Sequence, residues 1–419
     1  MEARTESVRC CIAGGGPAGM MAGYLLARAG VPVAVLEKHG DFLRDFRGDT
    51  VHPSTLEIMH ELGVLDAFLR RPHQELHAIG GLINGVDVTI GDFAHLPTRC
   101  KFIALMPQWD FLDFLTEQAR RYPAFALHMR AEVTDLIEEG GRIAGVRATT
   151  PDGPLEVRAD LVIAADGRHS IVRERAGLRV RDFGAPIDVL WMRLSRHGDD
   201  RASTLGYFSS GKLLVTLDRG DYWQCAYVIP KGGFDALRAQ DVAVLRQGIA
   251  ELAPFLRDRV AELRTWDDVK LLTVVVDRLE RWHRPGLLCI GDAAHAMSPM
   301  GGVGINLAIQ DAVAAANALA APLARGSVSD VDLAAVERRR LFPTRVVQAA
   351  QVFAADRIFG RAAAGGSPAP RPGWIPWPLR LLKRFPYLRR FPALFVAVGV
   401  RPEHVRTPDA GTQPVPSRA

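Results

Sequence analysis

The strongest constraint on this fold is a glycine-rich turn near the N-terminus. Gly14, Gly16 and Gly19 follow an apolar run typical of a buried strand, and a second apolar run ends at Glu37. This spacing lets the backbone turn tightly and approach a pyrophosphate at a helix N-terminus, where free N–H groups and the helix dipole favour an anion. The acid is placed to accept hydrogen bonds from ribose hydroxyls. The pattern therefore predicts a βαβ unit that binds a dinucleotide.

The composition is that of an ordinary globular protein with two lobes. The chain has 419 residues, of which 48% are hydrophobic and 24% charged, which excludes disordered, collagen-like and coiled-coil classes. The net charge is +5, but residues 371–390 carry six basic side chains and no acid, so the rest sums to 5 − 6 = −1. The body of the protein therefore gives no charge argument for nucleic-acid binding.

Cysteine usage and hydropathy indicate a folded protein of the reducing cytoplasm. Five cysteines, none spaced as CxxC pairs, cannot build a disulfide scaffold. Residues 10–27 carry no charge and could pass for a signal peptide, but glycines and a proline interrupt them, so we interpret them as folded structure. Elsewhere no uncharged apolar run is long enough to span a bilayer. We expect a cytoplasmic location.

Two further signatures lie far along the chain. The sequence AADGRHSxxR occupies residues 164–173, and GDAAH at residues 291–295 is followed by PMGGVGIN at 299–306. With the N-terminal glycines, in this order and at these distances, they resemble the single-component FAD-dependent aromatic hydroxylases typified by para-hydroxybenzoate hydroxylase. The resemblance covers about residues 8–345.

The resemblance implies an α/β fold in which a Rossmann-like FAD-binding domain is interleaved with a smaller α+β substrate domain. The substrate domain should be built on an antiparallel sheet, and short strand patterns at residues 188–230 agree with this. A helical C-terminal region should follow. The expected division gives residues 1–75, 107–180 and 276–345 to the FAD-binding domain, 76–106 and 181–275 to the substrate domain, and 346–419 to the C-terminal region.

The matching positions imply which residues hold FAD without a covalent bond. The glycine turn should wrap the pyrophosphate, Glu37 should hold the AMP ribose, and Asp292 should hydrogen-bond the ribityl hydroxyls. The turn at 301–306 should present N–H groups to the flavin pyrimidine edge, which becomes negative on reduction. The expected cofactor-binding residues are Gly14, Gly16, Pro17, Ala18, Gly19, Glu37, Lys38, Arg47, Gln108, Asp166, Gly167, Asp292, Gly301, Gly302, Gly304, Ile305 and Asn306.

Two residues are candidates for the catalytic centre. Pro299 matches the family proline beside the flavin, where the oxygen chemistry occurs. His52 lies on a segment that skirts the flavin in the family and could line the pocket; the alternative is a helix-capping histidine on the surface. His295 matches a residue that mostly packs or hydrogen-bonds near the cofactor. The other histidines show no metal-ligand spacing, and we expect no metal.

The substrate pocket is expected between the antiparallel sheet and the flavin. Strand alternation sends every second side chain inward, but the register cannot be read from the sequence. Each candidate could therefore also lie on the outer face. The candidates are Trp191, Arg193, Tyr207, Tyr222 and Gln224.

The activity implied by the resemblance is FAD- and NAD(P)H-dependent monooxygenation. An electron-rich, phenol-like small molecule would be hydroxylated through a flavin C4a-hydroperoxide, with O₂ and with NADH or NADPH as transient electron donor. Epoxidation, Baeyer–Villiger or decarboxylative oxygenation, a reductase, and a flavin-binding partner without turnover stay open. The sequence GWIPWP at residues 373–378 only superficially resembles a flavin-dependent halogenase motif.

The C-terminal tail has two interpretations. Residues 374–400 interleave aromatic, aliphatic and basic side chains. Such a stretch could lie in a membrane interface, or it could pack its apolar side over the flavin domain or a partner subunit. Four prolines break any long amphipathic helix, which favours packing. Residues 364–379, rich in Gly, Pro and Ser, are predicted to form a linker.

Overall fold

The computed structural model describes residues 3–43, 50–200, 205–360 and 373–411. Its first strand is longer than the apolar run before Gly14 that predicts it. The strand runs over Arg4–Ala13, because its first half pairs in parallel with residues 155–158 of a long neighbouring strand. Residues 10–13 are fully buried, as expected for a continuous apolar run covered on both faces.

Strands and helices alternate along the chain. The strands are β1 (Arg4–Ala13), β2 (Val33–Glu37), β3 (Thr50–Val51), β4 (Gln74–Leu76), β5 (Ala78–Ile83), β6 (Val86–Asp92), β7 (Ile103–Leu105), β8 (Phe125–Met129), β9 (Glu132–Glu139), β10 (Arg142–Thr150), β11 (Gly153–Ala164), β12 (Val180–Asp182), β13 (Ile187–Ser195), β14 (Leu205–Ser209), β15 (Lys212–Asp218), β16 (Tyr222–Pro230), β17 (Lys270–Leu272), β18 (Asp277–Leu279), β19 (His283–Arg284) and β20 (Leu287–Cys289). The α-helices are α1 (Pro17–Arg28), α2 (Pro53–Glu61), α3 (Leu65–Leu69), α4 (Gln108–Ala119), α5 (Ile171–Arg175), α6 (Phe234–Arg238), α7 (Ala243–Leu252), α8 (Gly304–Ala324), α9 (Asp330–Ala355), α10 (Trp377–Arg384) and α11 (Arg390–Ala397).

The larger sheet has a parallel centre. β20, β11, β1 and β2 lie side by side in this order and run parallel, and β8 continues the sheet beyond β2. β9 and β10 add an antiparallel arm to β11. Helices α1 and α8 pack against each other, and their apolar residues, such as Met20 and Ile309, belong to the same core as the sheet. This arrangement is the FAD-binding fold that the three motifs predict.

The helix α8 is long and strongly apolar. Within the described residues, the segment Met300–Ala324 has the length and composition to cross a membrane. However, 78% of its most apolar window is buried inside the protein. A core helix of a soluble protein passes the same test, and α8 has that position here.

The second sheet is mainly antiparallel and has two different faces. Its order is β17-β13-β16-β15-β14-β5-β6. One face packs against α7 through residues such as Leu190, Trp223 and Ile249. The opposite face, which we call the open face, carries Val189 and Ala226. Strands β13 to β16 confirm the antiparallel pattern expected for residues 188–230.

The C-terminal region consists of short helices rather than one long one. α10 and α11 are separated by a 3₁₀ turn, Pro386–Arg389, and both pack along β6. The linker predicted at residues 364–379 is wrong at its end, because α10 already begins at Trp377. Pro378 lies in its first turn, where a missing N–H costs nothing. The remainder of that prediction falls largely on residues 361–372, outside the described residues.

After α11 the chain runs back over the FAD-binding domain. This C-terminal strap, residues 401–411, hydrogen-bonds to three helices. The Arg28 side chain of α1 donates to Thr407 O at 2.7 Å, and the backbone N–H of Val405 donates to Glu61 of α2 at 2.7 Å. Arg406 N donates to Asn317 of α8 at 2.8 Å. The strap and the buried Ala393 and Ala397 of α11 therefore pack on the protein body.

Candidate functional site

Three sequence motifs converge at one edge of the larger sheet. Because β1, β11 and β20 are parallel, the turns that follow them meet at the same edge. A Cβ atom at Gly14 would lie 2.8 Å from the Asp166 Cα, and one at Gly291 would lie 3.0 Å from the Ala18 Cβ. The glycine turn, the Asp-Gly turn and the Gly-Asp turn thus pack so closely that two of their glycines cannot be replaced without displacement. A ligand at such an edge is typical of open parallel sheets.

The N-terminus of α1 is available to an anion. Gly16 is the N-cap residue and Pro17 opens the helix, and no described side chain caps the helix or places an acid in its first turn. No atom lies within 4 Å of a Cβ built at Gly16, whereas a Cβ at Gly19 would overlap the carbonyl oxygen of Gly14. The turn is therefore tight on its protein side and open on its outer side. This shape and its free N–H groups fit a pyrophosphate.

Glu37 lies at the rim of the glycine turn. Its Oε2 accepts a hydrogen bond from Gly15 N at 2.9 Å, and its Oε1 accepts one from His39 N at 3.0 Å. The side chain is buried, whereas the neighbouring Lys38 is exposed. His39 Nδ1 also lies 2.6 Å from Oε1. These contacts fix the orientation of the Glu37 carboxylate at the rim where the AMP ribose is expected.

Asp166 holds the Asp-Gly turn in shape. Its carboxylate accepts hydrogen bonds from Ser170 Oγ at 2.5 Å and from Val172 N at 3.2 Å. Burial raises the pKa of this carboxyl above its ordinary value, although these hydrogen bonds oppose the rise. Gly167 has φ +85°, a conformation that favours glycine. Both residues shape the edge at which the cofactor is expected.

Arg173 connects two of the motifs. Its guanidinium donates to the carbonyl oxygen of Arg168 in the Asp-Gly turn and to Ala293 O in the Gly-Asp turn, the latter at 3.4 Å. Arg173 is not among the site residues expected from the sequence. Its place within the second motif was the signal available, but a charged residue in a short helix is ordinarily on the surface.

Asp292 is half-buried in the Gly291–Ala293 turn. A buried network of charged side chains holds this turn in place. Gly291 N donates to Asp311 Oδ2 at 3.1 Å. The same carboxylate contacts His295 Nε2 at 2.6 Å and accepts from Arg340 Nε at 2.8 Å. Burial alone would raise the pKa of Asp311, but His295 and Arg340 outweigh it and lower that pKa. His295 therefore packs and hydrogen-bonds in this network, as the resemblance implies.

The N-terminus of α8 is built by two left-handed glycines and an asparagine. Gly301 and Gly302 have φ +79° and +63°, and Thr50 Oγ1 donates to Gly302 O at 2.9 Å. Asn306 Oδ1 accepts from His52 N at 2.9 Å and joins α8 to the start of α2. No described side chain caps α8, so the N–H groups around Gly304 and Ile305 are open to an electronegative ligand. The turn fits the flavin pyrimidine edge.

His52 does not line an open pocket, contrary to the expectation. It is the N-cap residue of α2, but its side chain is fully enclosed. Its Nδ1 lies 2.8 Å from Val396 O of α11, and burial lowers its pKa to about 4, so the ring is neutral and Nδ1 is the donor. The helix-capping alternative is right in position but wrong in exposure, because a C-terminal helix covers this residue.

The other expected cofactor and catalytic residues differ in their location and in their exposure to solvent. Pro299 is exposed at the entrance to the Met300–Gly302 turn. Gln108 opens α4 and is partly exposed. Arg47 lies outside the described residues. Among the described residues, no group of His, Cys, Asp or Glu could hold a metal ion.

The strand register divides the substrate candidates between two faces. Trp191 packs with the apolar residues of the open face, and Gln224 has the same parity. Arg193 is exposed, with its guanidinium 3.6 Å from the Tyr222 ring centre. Tyr207, however, lies on the α7 face and packs against Phe255, with ring centres 5.8 Å apart.

The expectation for Tyr207 is therefore wrong in orientation. Tyr207 pairs with Leu214 on the α7 face, whereas Phe208 pairs with Leu213, which packs on the open side. A shift of one residue exchanges the two faces of a strand, and no feature of the sequence fixes that parity. Phe208 is the aromatic residue of β14 on the open face.

The fold and this edge together define a flavoprotein of the doubly wound class with an appended antiparallel sheet. The sequence profile of a family described as "FAD binding domain" matches residues 7–350. 6-Methylpretetramide 4-monooxygenase from Streptomyces rimosus is 35% identical over 366 residues, covering 85% of this chain and 86% of the relative. The chain belongs to the FAD-dependent aromatic hydroxylase family, and it is a flavin-dependent monooxygenase.

Further relatives and solved structures agree with this assignment. Para-nitrophenol 4-monooxygenase from Pseudomonas sp. (strain WBC-3) is 25% identical over 346 residues, which cover 79% of this chain and 82% of the relative. PqsL from P. aeruginosa in complex with 2-aminobenzoylacetate gives a TM-score of 0.73 at 22% identity, covering 85% and 99% of the two chains. OxyS anhydrotetracycline hydroxylase from Streptomyces rimosus gives 0.70 at 23% identity, covering 97% and 78%. At these identities the structural likeness shows the fold.

Proposed function

We propose that the protein acts in the cytoplasm and hydroxylates an electron-rich, phenol-like ring held between the open face and the turn before α8. A shared apolar cluster carries this proposal. Met300, in the turn expected to border the flavin, packs against a buried cluster of Ile187, Ala355 and Phe359, and Leu213 and Val228 of the open face pack against the same cluster. The place where the flavin edge would lie and the surface that could hold a ring therefore border one buried cluster.

Gln224 is the residue of the open face best placed to orient a substrate oxygen. The side chain is 3% exposed, and its Oε1 accepts from Arg219 Nε at 3.0 Å. Its Nε2 has no hydrogen-bond partner within the described residues. An unpaired buried amide costs about 1–3 kcal/mol, which a bound phenolate or carbonyl oxygen would offset. The remaining lining, with Trp191 and Ala226, is apolar and suits a flat ring.

When bound, FAD supplies the redox chemistry that activates O₂ for transfer of one oxygen atom. The chain supplies the surroundings of that chemistry. The N–H groups at the start of α8 favour negative charge at the pyrimidine edge, and the apolar open face excludes water from the ring. We propose NADH or NADPH as the electron donor.

The test is a panel of phenols, quinolones and polyketide-like polycyclic aromatics. The last group is included because the relative that is 35% identical is named for 6-methylpretetramide. Each compound is scored by substrate-stimulated oxidation of NADH and NADPH and by the mass of the product formed under ¹⁸O₂. We expect one labelled oxygen atom in the product. Pyridine-nucleotide oxidation that no aromatic compound stimulates would contradict the proposal.

A second candidate function follows from another relative. Dialkyldecalin synthase from Streptomyces rugosporus is 26% identical over 325 residues, covering 72% of this chain and 63% of the relative, and its name describes no oxygenation. The alternative is a flavin-bound protein that converts or holds a substrate without turnover of the donor. Product formation without consumption of NAD(P)H would favour it.

We predict that Gln224→Leu raises KM for the substrate by about tenfold with little change in kcat. Loss of one hydrogen bond to a charged or polar oxygen accounts for about 1.4 kcal/mol. The comparison variant is Gln247→Leu, since Gln247 is exposed on α7 and contacts Glu251. If both variants show wild-type KM, Gln224 does not contact the substrate.

FAD should be held without a covalent bond. The edge offers N–H groups and carboxylates, and we assign no residue of it to a covalent link with the flavin. Acid precipitation of the purified yellow protein should therefore release FAD into the supernatant. Flavin that remains with the protein pellet would contradict this prediction.

Asp292→Ala should weaken FAD binding by about one to two decades and change substrate preference less. A carboxylate that accepts hydrogen bonds from ribityl hydroxyls is typically worth about 1.5–3 kcal/mol. Titration of the FAD-free protein with FAD measures the effect. Asp267→Ala, in an exposed 3₁₀ turn, is the control. An unchanged dissociation constant in Asp292→Ala would remove this residue from the site.

A further inference from the structure

Residues 373–391 expose an unusual concentration of large apolar side chains. The exposed fractions are 51% for Trp374, 69% for Trp377, 40% for Leu381, 49% for Phe385, 62% for Tyr387 and 54% for Phe391. Monomeric proteins rarely leave so many large apolar groups together in water unless the surface binds something. We call these six side chains, with Arg380, Lys383, Arg384, Arg389 and Arg390, the tail surface.

The tail surface is attached to a rigid support. Gly373 N donates to Asn84 O at 2.9 Å, and Asn84 Nδ2 donates to Trp374 O at 2.8 Å. Ile375 is buried, and α10 packs along β6. On the other side, Ala393 and Ala397 of α11 are fully buried. The exposed rings therefore lie on a segment that is held to the body at both ends.

The helix α10 directs Trp377 and Leu381 away from the protein. None of its residues is buried. Positions 377, 381 and 385 are spaced by four, so at 100° per residue they fall within an arc of about 80°. Arg380 and Arg384 border one side of this arc. An exposed apolar stripe bordered by cations is the pattern of a helix that lies in a membrane interface.

Within the described part of the chain, the basic residues of the tail surface have no acidic side-chain partners. None of the five forms an ion pair there, and residues 373–402 contain no acid. Two of the five lie over aromatic rings instead: Arg390 is 3.7 Å from the Tyr387 ring centre and Arg384 is 5.3 Å from that of Phe385. The charge of this surface is therefore strongly and uniformly positive.

We propose that the tail surface binds membranes containing anionic lipid, with its Trp and Tyr rings at the level of the headgroups. A second copy of the chain is a poor occupant, since a two-fold interface would place five positive charges against the same five. Anionic headgroups complement these charges, and the rings have the amphipathic character found at membrane boundaries. The proposal concerns peripheral attachment and does not depend on the substrate of the enzyme.

Vesicle co-sedimentation of the full-length, FAD-loaded protein tests this proposal. We expect the protein to sediment with vesicles that contain phosphatidylglycerol at low salt, less at high salt, and not with pure phosphatidylcholine. Each basic residue near an anionic surface contributes about a fivefold factor. The triple variant Arg380→Glu, Lys383→Glu, Arg384→Glu should therefore bind at least about a hundredfold more weakly.

The matched control changes three exposed basic residues outside the tail surface, Arg238→Glu, Arg257→Glu and Lys270→Glu, which give the same change in net charge. This control should sediment nearly as the wild type does. A wild-type protein that stays in the supernatant at low salt overturns the proposal, as does equal binding by the two triple variants. The double variant Trp374→Ser, Trp377→Ser tests the alternative that the surface binds another protein chain. If light scattering shows that the wild-type protein is a dimer and that this variant is a monomer, the tail surface mediates protein association and the membrane proposal is overturned. The flavin spectrum and Tm of each variant verify folding.

Discussion

Gly19→Ala should yield a protein that no longer retains FAD and that unfolds more readily than the wild type. The new Cβ would overlap the carbonyl oxygen of Gly14 and lie 3.3 Å from the Ile12 side chain. Ile12 is fully buried, so neither neighbour can move cheaply. Overpacking of this kind costs about 1–3 kcal/mol. The displaced turn would also misdirect its N–H groups, and we expect FAD affinity to fall at least about a hundredfold.

Substitutions at two other glycines distinguish an effect on packing from an effect on FAD binding. Gly16→Ala should leave the Tm of the FAD-free protein unchanged but weaken FAD binding, since its Cβ would enter the space expected for the pyrophosphate. Gly198→Ala, in open space after β13, should alter neither property. FAD titration and thermal unfolding of the three FAD-free variants give both readouts. Wild-type FAD affinity in Gly16→Ala would show that the pyrophosphate does not lie on this turn.

Arg340→Met should destabilise the FAD-free protein by about 3–5 kcal/mol at neutral pH, because it removes the buried guanidinium from the fully buried Asp311 carboxylate and leaves that carboxylate with His295 alone as a side-chain partner. The guanidinium is fully buried between Asp311, at 2.8 Å, and Glu403, at 3.3 Å. The pKa of Asp311 is lowered in the folded protein, so its stabilising effect is present above its unfolded pKa and is lost as pH falls through the folded value. Without Arg340 that pKa rises, and the penalty should shrink as pH falls towards about 4.

The neighbouring Arg339 is the control for this change. Its side chain is 35% exposed, and it donates to the same Glu403 oxygen at 2.6 Å. Arg339→Met should therefore cost less than about 1 kcal/mol, since a partly exposed ion pair is screened by water. Urea unfolding at neutral and mildly acidic pH measures both variants. Equal losses for the two, or a penalty for Arg340→Met that grows at low pH, would contradict the network described here.

The same network shows why the C-terminal strap matters to the cofactor edge. Glu403 of the strap contacts Arg340, Arg340 contacts Asp311, and Asp311 accepts from the backbone of Gly291. A carboxylate inside an apolar helix of small residues could have suggested a buried partner for Asp311. Nothing in the sequence, however, distinguishes Arg340 from the two arginines before it.

The sequence by itself determined the elements whose signals are local. The glycines at 14, 16 and 19 fix a strand, a turn and a helix, and the Asp166 and Asp292 motifs follow buried strands. These features depend on backbone conformation and on periodicity within a few residues, which a single chain displays directly. They were enough to predict a dinucleotide-binding βαβ unit, and the family resemblance that the three motifs carry implied the FAD-binding fold and the enzyme class.

Only the tertiary structure decided which side chains face which surroundings. The register of β14 places Tyr207 against α7 and leaves Phe208 on the open face. α11 encloses His52, whereas α10 exposes Trp377. Each outcome depends on contacts between residues far apart in the chain. A strand shifted by one residue, or a helix rotated by half a turn, keeps the same local sequence pattern while exchanging its buried and exposed faces.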